Sequence, residues 1–167
     1  MRGVKTLLST IAVTLLAAPG AAMATTATAS ATVVTVQPLS LVKSDDLDFG
    51  SMIATATAGT VKIDPSTDVR TTTGGVVVAG GTPAAARFVA AGLVNVLGII
   101  TLPTSITLNR TGGGGTMTIG TVTTNGSNIR LFAGPILDVR VGGTLSVGAN
   151  QPAGDYVGTF NITVVYL

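Results

Sequence analysis

The sequence contains no cysteine, no histidine and no tryptophan, and all seven of its acidic residues are aspartates. Each absence removes a class of chemistry. Without cysteine there is no disulfide to staple the fold and no thiol nucleophile. Without histidine the chain lacks the commonest general base and the commonest transition-metal ligand. A Ser–Lys pair is the remaining nucleophile–base combination, with Lys43 beside Ser44 and Lys62 near Ser66. Neighbours on a strand point to opposite faces, so adjacency in sequence argues against that pair. With four Phe and two Tyr, the chain also offers little aromatic surface for stacking a sugar ring. No catalytic residue, cofactor or metal site is expected, and the chain does not read as an enzyme.

Charge is scarce as well, at 10% of residues. Arg2 and Lys5 stand at the N-terminus. Lys43, Lys62, Arg70, Arg87, Arg110, Arg130 and Arg140 are spread singly, so no basic patch points to nucleic acid. The two N-terminal charges precede an apolar run over residues 7–18, then Pro19-Gly20, then the small-residue pattern Ala22-Met23-Ala24. This order predicts a cleaved, helical signal peptide over residues 1–24, with the cut between Ala24 and Thr25 and Ala22 as the second small residue. The run is shorter than the roughly 20 residues a membrane span requires, so no transmembrane anchor is expected in the mature chain. The protein is expected to be exported to the periplasm, the cell surface or the medium. Without Arg2 and Lys5, seven basic residues balance seven aspartates.

What the remaining chain does have is Thr, Val, Ala and Gly. β-Branched residues suit a pleated, half-buried surface. Glycine pairs recur at short intervals, at Gly74-Gly75, Gly80-Gly81, Gly112 to Gly115 and Gly142-Gly143. Short apolar runs between such breaks predict an all-β, antiparallel sandwich or barrel in a domain spanning 38–167, preceded by an extension over 25–37. Strands are expected at 39–42, 47–53, 60–63, 68–72, 75–79, 87–91, 97–102, 105–109 and 116–123. Two more, at 136–141 and 144–147, meet at a glycine pair that suggests a bulge. The best helical candidate is the Ala-rich segment 84–91. The clearest strand is 156–167, which places Tyr156, Phe160, Ile162, Val164 and Tyr166 on one face.

Other motifs read as structure. Asp45, Asp46 and Asp48 are candidate calcium ligands by charge, but they lack the Asp-x-Asp-x-Asp-Gly loop and its terminal Glu, and read as a solvated turn. Gly112 to Gly115 lacks the following Lys-Ser/Thr of a phosphate loop and reads as a hairpin connection. Asn109, Asn125 and Asn161 each open an Asn-x-Ser/Thr triplet, which a Thr-rich chain produces by chance.

The C-terminus resembles that of chaperone–usher fimbrial subunits. Tyr166 is penultimate, Gly154 is fourteenth from the end, and Tyr156, Phe160, Ile162 and Val164 alternate between them. The resemblance implies an immunoglobulin-like, pilin-like sandwich that polymerises by β-strand addition and meets a periplasmic chaperone on the way. The donor segment would carry Ala27, Ala29, Ala31 and Val33 on one face, smaller side chains than such donors usually present. Over most of the mature chain the sequence also resembles a bacterial secreted family, domain of unknown function 4402. That resemblance rests on Leu47-Asp48-Phe49-Gly50, on Asp64-Pro65 through Gly75, on Ile106-Thr107-Leu108, and on Val147 through Tyr156. The leading expectation is a structural or adhesive surface subunit, with itself and a chaperone as partners. The alternative is a self-contained monomeric module that binds a carbohydrate or a protein.

Overall fold

The computed structural model describes residues 38–167 together with Ser30, Thr32, Val33 and Thr35. The fold below is that of the unit Thr35–Leu167. The expected signal peptide, its cleavage residues Ala22, Ala24 and Thr25, and the donor residues Ala27, Ala29 and Ala31 lie outside the described residues. Val33 is described and exposed.

The described residues form eleven strands and no helix. They are β1 (Ser40–Asp45), β2 (Ser51–Ile63), β3 (Arg70–Gly80), β4 (Ala86–Ala91), β5 (Leu97–Thr101), β6 (Ile106–Arg110), β7 (Thr116–Thr124), β8 (Ile129–Leu131), β9 (Ile136–Val147), β10 (Tyr156–Val157) and β11 (Thr163–Tyr166). All pairings between them are antiparallel. One sheet runs β1-β4-β9-β7-β6-β10, with β2 joined to β9 and β3 to β2; a smaller sheet runs β11-β5-β8. The all-β antiparallel architecture expected from the sequence is the one observed.

Strand β9 organises the larger sheet. Residues 136–141 pair with β4, residues 143–147 pair with β2, and the opposite edge pairs with β7. The sheet therefore forks at Gly142. Along one branch the cross-strand neighbours Val61, Leu145, Ile119 and Ile106 form a buried row through four strands. Burying each such side chain stabilises by about 1.5–3 kcal/mol. Along the other branch Phe88, Ala90, Val139 and Val141 pack with Ile100, Phe132, Ile162 and Val164, which joins the two sheets. Leu47, Val122 and Phe160 pack against both clusters, so the two cores are continuous.

Four local expectations are corrected. The Ala-rich segment is not helical: Ala86, Phe88 and Ala90 are buried in alternation as β4 lies between β1 and β9. Burial on both flanks outweighs the helix preference of alanine. The segments 60–63 and 51–53 belong to one strand, β2, whose register shifts between Ala54 and Gly59, and 70–80 is likewise continuous. The bulge opposite Gly142-Gly143 lies in β7, where Gly120 to Thr123 faces Thr144 to Gly142 and Thr121 takes φ of 48°. Finally, the long C-terminal strand is two. β10 pairs with β6 in the large sheet, whereas β11 pairs with β5 in the small one. At Gly158 the chain crosses so closely over β6 that a Cβ would meet the Thr107 carbonyl and lie 2.8 Å from Leu108 Cδ2.

Candidate functional site

The residues expected to form an assembly strand are divided by that crossing. Gly154, at φ of 146°, backs onto Arg110, whose Nε donates to the Ala153 carbonyl at 2.7 Å. The Tyr156 hydroxyl donates to the Pro152 carbonyl at 2.7 Å and accepts from Gln151 Nε2 at 2.9 Å, holding the turn before β10. Phe160 stands edge-on to Phe88, with centroids 6.0 Å apart, between the two cores. Ile162 and Val164 are buried, and the Tyr166 ring meets Phe132 edge-on while its hydroxyl accepts from Leu93 N at 2.7 Å. Phe160, Ile162, Val164 and Tyr166 thus share the inward face; Tyr156 belongs to the larger sheet and Gly154 to the turn before it.

The outward face of the small sheet was not anticipated. Register places Leu131, Leu97 and Leu167 in one cross-strand row, and Ile129, Ile99 and Val165 in the next. Leu97, Ile129, Leu131, Val165 and Leu167 are 40–70% exposed. At about 4.8 Å between strands and 3.3 Å per residue, the six positions cover about 200 Å² of aliphatic surface. Arg130, the sole charged residue of these three strands, turns the other way. Its Nη1 donates to Asn125 Oδ1 at 2.9 Å and its Nε to the Ser127 carbonyl at 2.6 Å, and burial lowers its pKa. The sequence signal was present in the alternation Leu97-x-Ile99, Ile129-x-Leu131 and Val165-x-Leu167, but on β5 and β11 the opposite face, with Ile100 and Val164, is apolar too, so neither face identifies itself.

A charged cleft of about 440 Å³ opens where β1, β4 and β9 meet the turn before β3, lined by Asp45, Asp68, Ala84, Arg87, Asp138 and Arg140. Pairing sets Asp45, Arg87 and Arg140 in one cross-strand row. Two arginines directly opposite would repel, and each instead takes its own carboxylate. Arg87 Nε bonds Asp138 Oδ1 at 2.6 Å, and Arg140 Nη2 bonds Asp68 Oδ2. Asp68 sits at φ of 59°, and its Oδ1 accepts from the buried Ala85 N–H at 2.7 Å. That amide bond, followed by Arg140, holds the Asp68 carboxyl below the usual carboxylate range. The cleft offers alternating donors and acceptors for a polar ligand and holds no nucleophile paired with a base.

Asp68 therefore yields a pH-dependent test. Its folded pKa is depressed, so its contribution is present above the ordinary value of about 3.9 and is lost as pH falls through the folded value. Asp68→Asn keeps an acceptor oxygen and tolerates the left-handed backbone. It is expected to give a flatter stability profile than the wild type as pH falls below about 4. Asp68→Ala leaves the Ala85 N–H buried without a partner and is expected to lose about 1–3 kcal/mol at neutral pH. Urea denaturation across pH checks both; an unchanged acid limb in Asp68→Asn contradicts the assignment.

The other candidates separate. Asp46 pairs with Lys43 Nζ at 2.6 Å, Asp45 accepts from Ser44 Oγ at 2.9 Å, and Asp48 Oδ1 accepts from Gly50 N at 2.7 Å. Among the described residues no three acidic side chains gather as metal ligands. Gly112 to Gly115 close the β6–β7 hairpin, with Arg110 N bonded to the Gly115 carbonyl at 2.9 Å. Asn125 Oδ1 accepts from Arg140 N at 3.0 Å as well as from Arg130, a structural role. No helix among the described residues is long and apolar enough to cross a membrane.

Among the described residues, fold and surface together define an all-β domain of two antiparallel sheets with edge strands paired on one side, an aliphatic outer face and a charged cleft. The profile of the family described as domain of unknown function (DUF4402) matches residues 39–166, and the chain belongs to that family. No curated protein and no solved structure matches it.

Proposed function

We propose that this protein is an exported structural or adhesive subunit of the cell surface, pilin-like, that assembles by β-strand addition. The observation that carries the reading is the combination of unpaired strand edges with an aliphatic sheet face in a chain devoid of His and Cys. Exposed edges take up an extended strand through main-chain hydrogen bonds, and alternate side chains set its specificity. The aliphatic face, about 200 Å² by strand spacing, would add apolar burial to such a contact. The signal-like N-terminus supports export, the fimbrial resemblance has the Phe160, Ile162 and Val164 face meet a periplasmic chaperone, and the segment 25–37 is the donor strand of this reading. Electron microscopy with sizing of the native exported protein tests this. Filaments or discrete oligomers are expected, and deletion of residues 25–35 is expected to shorten or abolish them.

A second reading draws on the charged cleft. A monomeric module would use Asp45, Arg87, Asp138 and Arg140 to hydrogen-bond the hydroxyls of a carbohydrate or the charged groups of a protein ligand. A monodisperse monomer that binds one glycan or peptide selectively, and loses it on Arg87→Ala, would replace the assembly reading with this one.

A further inference from the structure

Strand β3 is paired along one edge only, with β2, among the described residues. It is eleven residues long, and from Thr71 to Gly80 it carries neither charge nor proline. Natural edge strands are usually guarded by being short or by carrying charges that repel a second strand. The other edges of the large sheet have such guards: β1 carries Lys43 and Asp45, and β10 is two residues long. On β3 the one charge, Arg70, is turned back, its Nη1 donating to the Phe49 carbonyl at 2.7 Å and the Gly80 carbonyl at 3.1 Å. What remains, among the described residues, is a row of backbone donors and acceptors without strand partners beside Gly75-Val76-Val77-Val78-Ala79.

We infer that this edge pairs with the same edge of a second copy, antiparallel, about a twofold axis through Val77. The inference rests on the strand-addition reading and names the strand that performs it. An unpaired backbone edge is complemented by an extended chain, and an uncharged one does not repel its own copy. The segment is close to its own reverse. Centred on Val77, the register sets Val77 against Val77, Val76 against Val78, and Gly75 against Ala79. All pairs have matching parity, so the inner faces of both sheets stay on one side and β2–β3 continues into β3–β2 of the partner. On the outer face, Ile53 is the cross-strand neighbour of Val77, and the two are 55% and 52% exposed. Pairing creates the row Ile53, Val77, Val77, Ile53 across the seam, a run of β-branched cross-strand contacts of the kind that stabilise sheets. Val78, also half-exposed, gains Val76 of the second copy as its cross-strand neighbour. The contact is isologous and closes on itself. It joins subunits in pairs, and further growth would use another edge.

The absence of native cysteine makes the test direct. In the exported chain, Val77→Cys places two thiols opposite each other on the axis, within disulfide reach. Thr73→Cys lies on the same strand but is four residues off the axis in each copy, too far to bridge. Under mild oxidation, Val77→Cys is expected to form a covalent dimer at least about tenfold faster than Thr73→Cys, because pairing raises the local thiol concentration. Val77→Lys, which sets like charges opposite at an exposed position, is expected to abolish dimers in sedimentation at an unchanged unfolding midpoint. Equal cross-linking of the two cysteine variants overturns the proposal, as does a dimer that survives Val77→Lys. If either happens while filaments persist, strand addition stands and uses another edge. If no association of any kind is seen, both readings fall.

Discussion

Replacing Phe132 with alanine is expected to remove about 3–5 kcal/mol of stability, the range for truncating a fully buried aromatic side chain. Phe132 has no exposed surface and joins the core where β4 and β9 meet β5 and β11. Its ring meets Tyr166 edge-on, with centroids 6.0 Å apart. Two glycines make room for it: a Cβ at Gly98 would lie 2.8 Å from Phe132 Cε2, and one at Gly92 would lie 3.2 Å from Cε1. The backbone is pinned as well, with Phe132 N donating to the Val96 carbonyl at 2.9 Å and its carbonyl accepting from Asn95 N at 2.8 Å. The site cannot collapse around a smaller side chain without breaking those bonds, so the cavity persists. Phe132→Leu should lose less, and Tyr166→Phe about 1 kcal/mol through loss of the hydrogen bond to the Leu93 amide. Equilibrium denaturation orders the three, and a loss below about 1 kcal/mol for Phe132→Ala would contradict this account of the core.

Much of the sheet was legible because alternation is a local signal. Phe160, Ile162, Val164 and Tyr166 share a face in the sequence and share the core in the structure. Alternation does not say which strand lies alongside, however, so the reading that fused residues 156–167 could not see the crossing at Gly158. The Ala-rich stretch failed for a related reason. Ala86 and Ala90 are small because β1 and β9 flank them and the opposing sheet lies close, and that smallness looks like helix preference when the neighbours are unknown. Strand β8 was missed because it has three residues with an arginine in the middle, and Arg130 is accommodated only because Asn125, Ser127 and Asp138 offer it oxygens. The candidate sites were less legible still. Asp68 and Arg140 are 72 residues apart, and nothing in either neighbourhood marks them as partners. The edge position of β3 is a property of topology: Gly75 to Ala79 reads as a strand in the sequence, but only the order of the sheet shows that it has one neighbour among the described residues.

Gly142→Ala is expected to give the second large loss, about 3 kcal/mol or more, because the fork in the larger sheet leaves no room for a methyl group. Residues before Gly142 pair with β4 and residues after it pair with β2, so the end of β2 and the turn that follows press on it directly. A Cβ there would fall within contact of the Ile63 carbonyl oxygen, 2.9 Å from Pro65 Cδ and 3.0 Å from Pro65 N. These are backbone and ring atoms that cannot rotate aside, so relief requires β9 to shift or the turn at Pro65 to lift. Overpacking a rigid site typically loses 1–3 kcal/mol, and more where backbone must move. Two neighbours calibrate the effect. A Cβ at Gly143 meets Ile119 Cγ2 at 2.7 Å, a side-chain methyl with some freedom, and one at Gly134 meets nothing within 4 Å. Urea midpoints should therefore fall in the order Gly134→Ala, Gly143→Ala, Gly142→Ala, with the first near wild type; equal losses at 142 and 134 would show that the fork tolerates a side chain. The same displacement bears on the charged cleft. Lifting Pro65 moves the turn that carries Asp68, which ties Ala85 and Arg140 together. Gly142→Ala and Asp68→Ala should then combine to less than the sum of their separate losses, the non-additivity expected of two changes that act on one turn.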